Sequence, residues 1–93
     1  MEKGRKEMEA IERVQKMELY FDTLQRARKI LPELLRQEGP VREMLLALKD
    51  YYEGGQWLLD YETDERGGFP KELKRGILSQ DAIYDFLCEV ESP

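Results

Sequence analysis

The chain contains no histidine and a single cysteine, Cys88. Without histidine it lacks the commonest general acid–base group and the commonest metal ligand. One thiol and no imidazole exclude the usual zinc sites and any Ser–His or Cys–His nucleophile pair within one chain. The lone cysteine has no intramolecular disulfide partner, so a reducing compartment, the cytoplasm, is expected. No apolar run approaches the roughly 18 residues of a membrane span. Residues 1–9 are highly charged and show no apolar h-region, so no secretion signal is expected. β-branched residues are scarce and no segment alternates apolar and polar residues for long, which argues against strands.

What remains is charge and helical periodicity. Charged residues are 38% of the 93 and apolar residues 41%, a balance suited to thin helices with wide solvated faces. The net charge of −5 is uneven. Residues 1–36 carry nine Lys/Arg and seven Asp/Glu, whereas residues 37–93 carry six and thirteen. An acidic chain works against phosphate repulsion, so direct nucleic-acid binding and anionic membranes are not expected. A protein partner with a basic surface is.

The pattern from about Arg5 to Leu35 is helical. Ala10, Val14, Met17, Phe21, Leu24, Leu31 and Leu35 follow steps of three and four, with Arg28 interrupting, and residues 1–6 are expected to fray. This spacing also suits a coiled-coil seam, hence a homo-oligomer through the first helix; the plainer reading is packing within the chain's own bundle. Pro32 predicts a kink or break near Ile30–Leu31. Gly39-Pro40 then marks a stop and a start. A second helix runs to about Glu53, antiparallel to the first, and Gly54-Gly55 ends it. A short helix holds Trp57, Leu58 and Tyr61 up to Glu65. Residues 67–70 read as a loop, and 71–75 as a helical turn broken by Gly76. Ser79 caps a last helix from Gln80 to about Val90, with Ile83, Phe86, Leu87 and Val90 inward. The expected fold is therefore all-α: one small domain over residues 1–93, a helical hairpin or bundle.

Between Asp50 and Glu65 there are six acids and no base. Asp60, Glu62 and Asp64 alternate like the start of a calcium loop, but the sixth and twelfth positions are Glu65 and Lys71 instead of Gly and Glu. A solvated helix face with bases nearby is the simpler reading. Lys71, Lys74 and Arg75 follow, and exposed pairs between these bases and the acids are worth about 0–1 kcal/mol each. Of the aromatic set around Tyr51, Tyr52, Trp57, Tyr61, Phe69, Tyr84 and Phe86, most belong in a core. Buried tyrosines need partners, which Asp60 or Asp81 can supply.

The run from Trp57 to Phe86, W-L-L-D-Y-E-T-D-E-R-G-G-F-P-K-E-L-K-R-G-I-L-S-Q-D-A-I-Y-D-F, resembles a bacterial family catalogued as domain of unknown function 4298. That family's pattern is an aromatic, an acidic run, P-x-x-L-K-R-G, then L-S-x-D-A and a tyrosine. The matching residues are Trp57, Asp60, Asp64, Pro70, Leu73, Lys74, Arg75, Gly76, Leu78, Ser79, Asp81 and Tyr84. The resemblance implies a small cytoplasmic bacterial protein, with a possible phage association, and brings no activity, cofactor or assigned site. Read physically, Leu73 and Leu78 are core anchors, and Gly76 takes a backbone conformation that other residues resist. Fold accounts less readily for the charged members.

The candidate binding residues are therefore Trp57, Asp60, Tyr61, Asp64, Lys74, Arg75, Asp81 and Tyr84, with no catalytic or metal residue and no cofactor. Trp57, Asp60 and Tyr61 are expected to face Lys74, Arg75 and Tyr84 across the reversal. The leading functional expectation is a non-enzymatic interaction or regulatory module. The alternatives are a small-ligand binder or enzyme using carboxylates with Lys74 or Arg75, and an acidic decoy that occupies a nucleic-acid-binding partner.

Overall fold

A computed structural model describes residues 2–91. Four helices form the fold: α1 (Glu2–Ile30), α2 (Pro40–Glu53), α3 (Gln56–Glu65) and α4 (Gln80–Glu91). Short 3-10 turns, Pro32–Leu35 and Gly76–Leu78, precede α2 and α4. No strand occurs among the described residues, so the all-α expectation holds. Met1, the first of the residues expected to fray, lies outside them.

Helix α1 stops sooner than the sequence pattern suggests. Leu31 has left the helical region, at φ −150° and ψ 80°, because the ring of Pro32 disfavours helical backbone in the residue before it. Pro32 breaks the helix instead of kinking it. Leu31 is consequently half-exposed, while Leu35, carried round by the 3-10 turn, is buried. Gly39 then links the turn to α2 at φ 153° and ψ −176°, a region essentially open only to glycine. Pro40 follows in the first turn of α2, where its missing N–H costs no helical bond.

The core forms where α2, α3, α4 and both 3-10 turns close on one face of α1. Val14, Met17, Phe21 and Leu24 supply that face, and Leu48, Ile77 and Ile83 are fully buried against it. Phe21 and Phe86 meet edge to face with centroids 5.4 Å apart. Each such aliphatic side chain contributes about 1.5–3 kcal/mol by leaving water. The stripe that suits a coiled-coil seam is therefore occupied within the chain. Arg28, the interruption in that stripe, is half-exposed and pairs with Glu89 of α4.

Two local expectations need correction at the motif. Residues 71–73 form a turn and bend and residues 74–75 are irregular, so no helix forms there, and the helical turn begins at Gly76 instead of ending there. Nor does Gly76 adopt a positive φ; among the described glycines only Gly39, Gly55 and Gly67 do. Its constraint is space. A Cβ at Gly76 would lie 2.9 Å from Oε1 of Glu18, whose other oxygen accepts the Ile77 N–H at 2.6 Å. A side chain at Gly76 would push aside the flexible end of Glu18, which binds the backbone of this turn. Ser79 lies in extended conformation, and its carbonyl accepts the first bond of α4, from Ile83 N–H.

A candidate site built on one face of α3

Trp57, Asp60, Tyr61 and Asp64 stand at i, i+3, i+4 and i+7, so one face of α3 carries all four. That face turns inward. The Trp57 indole is buried and donates its N–H to the Ile77 carbonyl at 2.8 Å. Tyr61 stacks on it with centroids 5.1 Å apart, and Tyr52 meets its other side edge-on at the same distance.

Asp60 is the polar centre. It is 1% exposed and accepts three hydrogen bonds. Arg13 of α1 donates two, Nε to Oδ2 at 2.9 Å and Nη2 to Oδ1 at 2.6 Å; the Tyr51 hydroxyl donates the third at 2.8 Å. The fork geometry suits a carboxylate and is stronger than a point contact. The hydrogen bond to Asp60 raises the Arg13 pKa above its ordinary value. Burial, then the bond to Asp60, pushes the Tyr51 phenol well above its own. Among the described residues no buried side-chain polar atom lacks a partner.

Asp50, Glu53, Glu62 and Glu65 are exposed, as expected of a solvated face, but Asp60 and Asp64 turn inward. Asp60 is buried, and its base is Arg13, 47 residues earlier, not Lys74 or Arg75. The 3.6-residue period also sends Glu62 outward while Asp60 and Asp64 turn in, which divides the calcium-like triplet. No group of three or more Cys, Asp or Glu gathers as a metal-ligand set among the described residues.

Arg75 does meet α3. It pairs with Asp64, donates from Nη2 to the Pro70 carbonyl at 2.6 Å and makes a longer bond to the Leu73 carbonyl. One guanidinium thus fastens the 66–75 reversal. Lys74 is exposed at the rim of a shallow groove of about 340 Å³ beside α1. Asp81 is exposed in the first turn of α4, where a negative charge is favoured. Tyr84, 55% exposed, hydrogen-bonds Cys88 one turn on, and that bond raises its phenol pKa.

The eight candidates thus divide. Trp57, Asp60, Tyr61 and Asp64 share the inward face of α3, with Arg75 paired to Asp64, and Lys74, Asp81 and Tyr84 lie outside that arrangement. The expectation that a buried tyrosine would find Asp60 is met by Tyr51, but sequence reasoning missed Arg13 and Glu18. The available signal was position: Arg13 flanks the apolar stripe between Ala10 and Met17, where a charge needs an inward partner.

The arrangement defines a small all-α bundle in which Arg13 and Tyr51 close around the buried carboxylate of the motif residue Asp60. Residues 14–92 match the model of the family described as a domain of unknown function, DUF4298, and the chain belongs to that family. No curated protein and no solved structure matches it.

Proposed function

We propose that this chain is a non-catalytic interaction module whose working face is the outward side of α3, and that its partner is a protein surface bearing basic and apolar groups. The observation that carries this reading is the contrast between the two sides of that helix. The inward side is saturated by its own chain. On the outward side Leu58 and Leu59 are 52% and 62% exposed and share their face with exposed Glu62 and Glu65, with Arg66 closing the end. Adjacent leucines left in water beside carboxylates suit the apolar stripe and basic flanks of an amphipathic helix. The exposed acids Asp50 and Glu53 at the end of α2 extend the negative field.

The enzymatic alternative draws less support. Asp60, Asp64 and Arg75 already bond one another or α1, so a substrate would first have to displace structural contacts. Of three open grooves beside α1 among the described residues, one includes Lys74 and none includes another candidate residue. The single cysteine of the chain, Cys88, suits a reducing compartment, and we propose that the module works in the bacterial cytoplasm. No helix among the described residues is long and apolar enough to cross a membrane.

The test is a titration with a labelled Lys/Leu amphipathic helical peptide, followed by fluorescence anisotropy at two salt concentrations. The native chain should bind in roughly the micromolar range and weaken with salt. Leu58→Ser/Leu59→Ser should lose at least about tenfold in affinity, or 1.4 kcal/mol, with an unchanged melt. Equal binding by native and variant chains would dismiss this face.

A further inference from the structure

Opposite its core stripe, α1 has a second line of residues. Three large apolar side chains stand open there: Met8 and Leu19, each 64% exposed, and Ile30, 81% exposed. They are spaced by 11 residues, which is three turns, so they share one side of the helix. The residues between them are symmetrical in kind about Leu19. Four positions away on either side are Gln15 and Thr23, both polar and uncharged. Seven positions away are Glu12 and Arg26, exposed and opposite in charge. Eleven positions away are Met8 and Ile30.

We propose that this line pairs with α1 of a second copy of the chain, antiparallel, with the twofold axis at Leu19. In that register Leu19 meets the partner's Leu19. Met8 lies level with the partner's Ile30, and Glu12 with the partner's Arg26; each of these pairs occurs twice, as a twofold interface requires. A parallel pair would instead set Glu12 against the partner's Glu12 and Arg26 against the partner's Arg26. The charges therefore select both the occupant and its direction. The same helix serves two interfaces, its inner stripe for the fold and its outer line for the dimer. One helix face some 33 Å long from Met8 to Ile30 is a small interface, so the dimer is weak and reversible.

Sedimentation equilibrium with reductant present, which silences Cys88, tests the pairing. The native chain should show a monomer–dimer equilibrium with a Kd between roughly 10 µM and 1 mM. Glu12→Arg should weaken it by at least about tenfold, and Glu12→Arg/Arg26→Glu should restore it to within about threefold of native. All of these positions face water, so circular dichroism and the melting temperature should stay native. A second measurement uses a Cys88→Ser background, in which chains carrying Met8→Cys are mixed with chains carrying Ile30→Cys. Antiparallel pairing joins one kind to the other by a disulfide, whereas parallel pairing joins like to like. A native chain that stays monomeric at about 1 mM overturns the proposal and leaves the face to another protein or to none. A dimer indifferent to Glu12→Arg, a double swap that fails to restore association, or like-to-like disulfides overturn it equally.

Discussion

Replacing Arg13 by alanine should damage this protein more than any other single change of a charged residue. The substitution removes two of the three donors to Asp60 and leaves a carboxylate, 1% exposed, with the Tyr51 hydroxyl alone. Breaking a buried pair from one side costs about 3–5 kcal/mol, because the surviving charge keeps its desolvation and loses its compensation. A domain of this size has about 5–14 kcal/mol of total stability, so the change removes a large share of it. At about 4–8 °C per kcal/mol, the melting point should fall by at least about 12 °C. Removing the other partner is gentler. Asp60→Asn leaves Arg13, whose side chain is 27% exposed and can turn its guanidinium toward water. That cost should be about 1–3 kcal/mol, chiefly lost hydrogen bonding. Urea titrations followed by far-ultraviolet circular dichroism, with Trp57 fluorescence as a second probe, measure both. Asp60→Asn costing more than Arg13→Ala, or Arg13→Ala costing under about 1 kcal/mol, would refute the reasoning and mark the Arg13–Asp60 contact as incidental.

The remaining expectations concern the same network and its neighbours. Gly76→Ala should cost about 1–2 kcal/mol by displacing the Glu18 carboxylate from the Ile77 N–H, and most of that cost should vanish in a Glu18→Ala background, as a double-mutant cycle by denaturant melts can show. Arg75→Glu should lower stability by about 1–3 kcal/mol and raise proteolytic cutting within residues 66–75, because the guanidinium holds both Asp64 and the Pro70 carbonyl. Tyr51 ionises near pH 10.0 when unfolded but is held protonated in the fold, so its contribution is complete below that pH and declines as pH rises above it. Urea midpoints measured between pH 8 and 11 should fall steeply for the native chain and less steeply for Tyr51→Phe.

The motif shows how folding and function can be confused in a short sequence. Its charged and aromatic members attract attention as a binding site because nothing local explains them. Trp57, Asp60 and Arg75 each bond a residue at least five positions distant, and Asp60 bonds residues on two other helices. Much of the conspicuous chemistry is therefore spent on the fold, and the outward side of α3 presents the plainer residues Leu58, Leu59 and Glu62.

Much of the architecture follows from the sequence alone, because its causes are local. Helical spacing, the Gly39-Pro40 and Gly54-Gly55 breaks and the start of α4 after Ser79 are read within a few residues of where they act. The same holds for the inward set of α4: Ile83, Phe86 and Leu87 are buried and Val90 is half-buried. Tertiary structure decided the partnerships. The sequence could say that Asp60 needed a base if buried, but not that it was buried, nor that the base lay 47 residues away on α1. It could mark Gly76 as constrained, but only the packing of Glu18 against that turn shows that space, not φ, is the reason. Long-range pairing depends on how helices cross in space, and periodicity along one helix carries no information about which residue of another it will meet.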